Sequence, residues 1–312
     1  MDFVRAAVIG TGTMGPGIAV VLAMGGVEAT IVGRTDASSA KGLNAARDQG
    51  RMLADHGLAK LEILERIKST SDLERAVRDA DLVIESTPED LTFKQDLFAR
   101  LDSIAKPEAV LASNTSALSI TALAAQCRHP ERTLTTHFWN PAFLMPLVEI
   151  VKGEKTSAEV AEAVRTLLRR CGKVPVLVKK DRPGQLGNRL QSALYREAIH
   201  IVEEGIADAE DVDLAAKCGF GLRLPVYGIF EHQDAVGLDL VLSVVNYVSP
   251  DLYRERDAPG LLRQLVAEKK LGVKSGSGFY DWSVKNFAKV KQRRDAFVLD
   301  MVKRRRKQER QT

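Results

Sequence analysis

Over the first 180 positions, apolar residues fall in short unbroken runs and do not alternate with polar ones. Runs at 6–9, 29–32, 81–85, 109–113, 133–138, 147–151 and 174–178 have strand length. A strand covered on both faces reads this way. Between them, 18–24, a long stretch from 40 to about 67, and 92–104 carry helical spacing. Strands alternating with helices predict βαβ units and a mostly parallel sheet. After Lys180 the pattern changes. The breaker DRPG stands at 181–184, and beyond it helical segments at 185–204, 209–218, parts of 226–245 and 260–269 replace the strand-like runs. The expectation is an α/β domain over residues 1–181 and a smaller all-helical domain over 182–312. Apolar stripes with few caps in the helical part predict a spare face buried against a second copy, a homodimer.

A chain of 312 residues has room for two such domains. Its 45% hydrophobic and 28% charged residues are an ordinary globular mixture. No apolar run approaches the ~18 to 20 residues of a membrane span, so no membrane-embedded role is expected. The start, MDFVRAAVIGTG, holds an acidic residue and runs straight into a strand, unlike a signal peptide. Cys127, Cys171 and Cys218 lie far apart without CxxC spacing. They imply neither a disulfide framework nor a metal site, and a reducing cytoplasm is the expected location. Charge is uneven: 285–312 holds eleven basic and three acidic residues, so the rest of the chain is net negative. The run KRRRKQER at 303–310 has no aromatic residues or binding motif beside it, so it reads as a solvated helix end and no nucleic-acid partner is expected.

Chemistry enters at Gly10-Thr-Gly12-Thr13-Met14-Gly15, a GxGxxG placed directly after a strand and opening a helix. The first glycine makes a tight turn, the second lets backbone approach a pyrophosphate, and the third lets helix and strand pack. The helix N-terminus presents N–H groups and positive dipole to the phosphates. This defines a Rossmann-type, dinucleotide-binding first domain. An NAD site usually carries Asp or Glu at the end of the second strand, for the ribose hydroxyl. Here Gly33 stands there, followed by Arg34. Glycine makes room for a 2′-phosphate and arginine can pair with it, which predicts acceptance of NADP. The alternative is that Arg34 stacks on adenine and Asp36 replaces the acid.

Polar clusters follow other strands: Ser113-Asn114-Thr-Ser116, His137-Phe-Trp-Asn140-Pro141, Glu149, and KKDRPGQLGN with Asn188. Oxidising an alcohol by hydride transfer leaves an O–H proton to remove, which suits a histidine. A carboxylate on its far nitrogen fixes the tautomer. Taken singly, each has an ordinary reading: a structural histidine, a helix cap, a solvated glutamate.

Together, GTGTMGPGIA, SNTSALSI, HFWNPAFLMPLVEI, KKDRPGQLGNRL, EGIADAEDVD and LGVKSGSGFYDW resemble the 3-hydroxyacyl-CoA dehydrogenase family in order and spacing, over about residues 4–282. The resemblance implies a Rossmann-type domain followed by a helical dimerisation domain, and oxidation of a 3-hydroxyl β to an acyl carbonyl with a nicotinamide cofactor, as in fatty acid metabolism. It implies His137 as catalytic base with Glu149 as partner, Ser116 and Asn188 in the catalytic set, and Asn140 at the substrate. Glu89, Lys94 and Asn114 would join Gly10, Gly12, Thr13, Met14, Gly15, Gly33 and Arg34 at the cofactor.

Two departures bear on the substrate. The helical segment after the second strand offsets its bases with Asp48, Asp55, Glu62 and Glu65, a weaker anchor for the phosphates of coenzyme A. The stretch Gly219-Phe-Gly-Leu-Arg223 is more like the family branch acting on free hydroxy acids, such as L-gulonate 3-dehydrogenase (lambda-crystallin-like). There Arg223 would clamp a carboxylate, or else be a surface arginine. A thioester of coenzyme A and a free acid therefore both stand as substrates. A catalytically silent, crystallin-like cofactor binder is the third reading.

Overall fold

The computed structural model describes residues 1–309. Eight strands are β1 (Arg5–Ile9), β2 (Glu28–Val32), β3 (Ile67–Thr70), β4 (Leu82–Glu85), β5 (Val110–Ser113), β6 (Thr133–Phe138), β7 (Leu147–Lys152) and β8 (Val174–Val178). They form one sheet in the order β3-β2-β1-β4-β5-β6-β7-β8. The neighbours are parallel except β6 and β7, which run antiparallel.

Successive residues of one strand feed opposite cores. Ala6 and Val8 join a cluster with α1 (Gly15–Met24), α2 (Asp36–Asp55) and α6 (Ala158–Arg170). Ala7 and Ile9 join the other, with α3 (Leu73–Arg78), α4 (Leu91–Ile104) and α5 (Ile120–Leu123). Both faces are covered, so the strands have no polar side to show, and the unbroken apolar runs follow. Strand order reverses between β1 and β4, where open α/β sheets bind ligands at the strands' carboxyl ends.

The segment expected as one helix from 40 to about 67 is divided. Helix α2 ends at Asp55 with His56 as its C-cap, Gly57 takes φ +71°, and a 3₁₀ turn over Leu61–Arg66 leads into β3. Strand β3 (IKST) lies at the sheet edge with only Ile67 buried, so its composition hides it inside a helical pattern.

The chain divides into two compact units, Met1–Asn188 with Asp295–Thr312, and Arg189–Arg294. The first unit thus runs past the boundary placed at Asp181 and takes in the chain's last segment. The helices after β8 are α7 (Gly187–Glu203), α8 (Ala209–Cys218), α9 (Phe220–Arg223), α10 (Ile229–Val236), α11 (Leu238–Val248), α12 (Gly260–Ala267) and α13 (Phe287–Glu309). Gly237, at φ +99°, separates α10 from α11. The basic run at 303–310 is more than a solvated end. Val298, Leu299 and Val302 of α13 pack on the sheet's core, and Arg306 donates to the Leu58 carbonyl at 2.5 Å. Lys303 and Arg304 are exposed, and Arg310 lies outside the described residues. Among the described residues no helix is long and apolar enough to cross a membrane.

Candidate active site

The glycine loop after β1 is shaped by close approach. A Cβ on Gly10, whose φ is +122°, would stand 2.3 Å from the Ser86 carbonyl oxygen, and one on Gly15 would stand 2.0 Å from that of Gly10. A Cβ on Gly12 would meet no protein atom within 4 Å, so that position faces open space. Helix α1 begins after Met14 without a side-chain cap and with no acidic residue in its first turn. Its leading N–H groups are therefore available to an anion. These features fit a dinucleotide pyrophosphate. At the end of β2, Gly33 is tightly enclosed. A Cβ there would come within 2.5 Å of Ser38 Oγ and 2.6 Å of Ser39 Oγ, so no acid fits without displacement. Arg34 is exposed, and Asp36 accepts from Ser71 Oγ at 2.5 Å.

His137 and Glu149 sit directly opposite on β6 and β7. His137 Nδ1 lies 2.7 Å from Glu149 Oε2. Trp139 Nε1 donates to the same oxygen at 3.0 Å, and the backbone N–H groups of Leu186 and Gly187 donate to Oε1 at 2.9 and 2.8 Å. Burial opposes ionisation of Glu149, but bonds from His137, Gly187, Trp139 and Leu186 outweigh it and hold the carboxyl at about 2. An ionised carboxylate only accepts, so Nδ1 donates to it, and in the neutral imidazole that tautomer leaves Nε2 as the acceptor. Ser116 Oγ lies 3.1 Å from Nε2. Gly187 is needed here, since a Cβ would strike the Trp139 indole at 2.5 Å.

Ser116 is positioned from beneath. Its N–H donates to Glu89 Oε1 at 2.7 Å, and Thr115 Oγ1 donates to Glu89 Oε2 at 2.7 Å. Asn188 Nδ2 donates to the Ser116 carbonyl at 3.2 Å. Asn114 is engaged with protein, its Oδ1 accepting from Phe138 N–H at 2.9 Å and its Nδ2 donating to Ser86 Oγ at 3.2 Å. Lys94 is fully buried. Its ammonium donates to Glu85 Oε1 at 2.6 Å and to the Thr87 carbonyl at 3.2 Å, with Glu89 at 3.6 Å. Asn140 is exposed at the start of the loop from β6 to β7.

His137, Glu149, Ser116, Asn188, Glu89 and Asn114 thus converge in the first unit. Arg223 ends α9 in the second unit and is exposed. Among the described residues no group of three or more His, Cys, Asp or Glu is placed to hold a metal ion.

Sequence reading passed over Glu85, Trp139, Gln185 and the amides of Leu186 and Gly187. Glu85 had a signal: a carboxylate closing the buried strand LVIE must find a cation, and Lys94 lies one turn into the next helix. The amides had none, because backbone donors carry no residue identity.

The fold and this dyad define a nicotinamide-dependent dehydrogenase. The sequence matches the family model "3-hydroxyacyl-CoA dehydrogenase, NAD binding domain" over residues 5–182 and "3-hydroxyacyl-CoA dehydrogenase, C-terminal domain" over 184–282. It is 36% identical over 275 residues to 5-formyl-3-hydroxy-2-methylpyridine 4-carboxylate 5-dehydrogenase of Mesorhizobium japonicum, covering 88% of this chain and 89% of that one. It is 35% identical over 284 residues to 3-hydroxybutyryl-CoA dehydrogenase of Clostridioides difficile, covering 89% of this chain and 99% of that one. Among solved structures, a 5-formyl-3-hydroxy-2-methylpyridine 4-carboxylic acid 5-dehydrogenase, described as an NAD+ dependent dismutase, superposes with TM-score 0.89 at 32% identity, over 96% of this chain and 97% of that one. A 3-hydroxybutyryl-CoA dehydrogenase of Escherichia coli superposes with TM-score 0.76 at 35% identity, over 91% of this chain and 60% of that one. The chain belongs to the 3-hydroxyacyl-CoA dehydrogenase family and is an NAD-dependent oxidoreductase.

Proposed function

We propose that the chain oxidises the 3-hydroxyl of a 3-hydroxyacyl thioester of coenzyme A, with His137 as general base. The observation that carries this reading is the geometry of His137: Nδ1 lies 2.7 Å from Glu149 Oε2, and Nε2 faces Ser116 Oγ at 3.1 Å. His137 Nε2 accepts the substrate's hydroxyl proton, and Glu149 stabilises the imidazolium that results. Ser116 and Asn188 orient the oxygen that loses the proton, and Asn140 contacts the substrate from the loop between β6 and β7. NAD+, when bound, supplies the hydride acceptor. Gly10, Gly12, Thr13, Met14 and Gly15 would hold its pyrophosphate at the start of α1. The engaged states of Asn114 and Lys94 make them supports of the cofactor pocket more than direct ligands. The test is the initial rate of nicotinamide reduction with (S)-3-hydroxybutyryl-CoA and with free 3-hydroxy acids, in wild type and His137→Gln. Absence of turnover by the wild type on every 3-hydroxy substrate would overturn the reading.

A free carboxylate is the second reading. The superposition on the pyridine-carboxylic acid dehydrogenase, TM-score 0.89 over 96% of this chain, favours it over 0.76 and 91% for the 3-hydroxybutyryl-CoA enzyme. Arg223 would then bind the carboxylate. A rate confined to free acids, lost in Arg223→Ala, would decide for it.

The chain is also proposed to accept NADP+, because Gly33 leaves no acid for the ribose and Asp36 is held by Ser71. A homodimer through the helical unit is supported by its large exposed apolar side chains, among them Val226 and Tyr247 at 87% and Phe230 at 78%. Light scattering on the purified chain tests it, and a monomer mass at micromolar concentration would refute it. Three free cysteines suit a reducing cytoplasm.

A further inference from the structure

Gln185 stands out on two independent counts. It is one of two non-glycine residues at positive φ among those described, at +54°, and it is buried, with 5% of its surface exposed. A bulky residue held in the left-handed region persists only where its surroundings over-determine it, and such residues gather at functional sites.

Its neighbours explain what the conformation achieves. The Gln185 side chain turns back so that Nε2 donates to the Thr115 carbonyl at 2.8 Å. The next two residues along the backbone, Leu186 and Gly187, aim their N–H groups at Glu149 Oε1. One residue therefore ties together the two partners of His137. The connections close a ring: from His137 Nε2 to Ser116, back one residue to the Thr115 carbonyl, across to the Gln185 amide, through the amides of 186 and 187 to Glu149, and home to His137 Nδ1. The other end of the same amide, Oε1, is buried and has no hydrogen-bond partner among the described residues. A buried amide used at one end only is unusual for a purely structural group.

We propose that Gln185 is a positioning residue of the dehydrogenase site, whose Nε2 bond to the Thr115 carbonyl sets the distance of Ser116 from His137. The inference rests on the reading of His137 as base. Aliphatic residues supply bulk at 185 but no donor, and glycine supplies the backbone conformation but no side chain. Two variants therefore separate the roles. Gln185→Gly keeps the left-handed turn and hence the donors to Glu149. Gln185→Met keeps the volume and loses the amide.

Both variants are expected to lower kcat about tenfold, the scale of a small misplacement of a reacting group, while the KM for NAD+ stays within about twofold of wild type because the glycine loop is untouched. Deuterium exchange at residues 114–118 is expected to quicken in both, a readout that needs no substrate. Gln185→Gly is also expected to melt above Gln185→Met, since glycine relieves the backbone strain. Stability then follows the backbone while rate follows the amide. Wild-type kcat in either variant, or unchanged exchange at 114–118, would overturn the inference. A wild type that turns over no 3-hydroxy substrate would instead count against His137 as base, leaving the exchange measurement to decide on Gln185.

Discussion

Glu149 receives the His137 Nδ1–H bond at 2.7 Å while three other donors occupy its remaining lone pairs. The glutamate is therefore ionised by construction, and the histidine has one tautomer available. His137→Gln should lower kcat by ~10² to 10⁴ and leave NAD+ affinity near wild type. Titration of NAD+ by fluorescence, beside steady-state rates, checks both halves. Loss of NAD+ affinity with kcat kept would refute the role of base.

Acid should expose the same carboxylate. Glu149 titrates at about 2 in the fold against an ordinary 4.5. Its folded value is depressed, so its contribution is full above pH ~4.5 and is lost as pH falls through ~2. The gap corresponds to about 3 kcal/mol. Urea midpoints at pH 6, 4 and 2.5 should converge for wild type and Glu149→Gln as the pH drops. Parallel curves would show that Glu149 is not the group titrating.

Beneath the cofactor site, Lys94 and Glu85 form a fully buried pair, and Glu85 also accepts from Ser113 Oγ at 2.6 Å. Removing Lys94 leaves the buried Glu85 without its cation, and removing Glu85 leaves Lys94 only the longer contact with Glu89 at 3.6 Å. Glu85→Gln should destabilise the protein by about 3–5 kcal/mol, and adding Lys94→Met should restore part of that loss. Thermal melts of the single and double variants measure the coupling. A double variant as unstable as the sum of the singles would mean the pair is not coupled.

The proposed acceptance of NADP+ rests on Arg34. The wild type should reduce both NAD+ and NADP+, and Arg34→Ala should raise the KM for NADP+ by about tenfold with little change for NAD+. A wild type active with NAD+ alone would refute acceptance of the phosphate.

The C-terminal helix lies beyond the matched family region, which ends at residue 282, yet its last part belongs to the first unit. Ending the chain after Arg294 would strip Val298, Leu299 and Val302 from the core they cover. It would also uncover Lys173, which donates to the Ala142 and Met145 carbonyls at 2.6 and 2.7 Å in the loop between the dyad's strands. A loss of about 2–4 kcal/mol is expected from the apolar area alone. A truncated protein with the full-length melting temperature would show that the helix only rests on the surface.

Local pattern carried much of this molecule. The unbroken runs in β1, β4 and β5 announced a sheet covered on both faces, and the glycines after β1 announced a tight strand-to-helix loop, because both signals arise between near neighbours in the chain. The twelve-residue spacing of His137 and Glu149 matches a pair facing across β6 and β7. Edge strand β3 stayed hidden, since a strand with one buried residue has little apolar signature. What the sequence determined by itself was the class of fold, the place of the glycine loop after β1 and the residue types that face each other across β6 and β7. Tertiary structure alone decided the ionisation of Glu149, the pairing of Lys94 with Glu85, the clamp at Gln185 and the return of α13. Each of these depends on which distant segments meet and how completely they exclude water, and desolvation and hydrogen-bond satisfaction have no period along a chain.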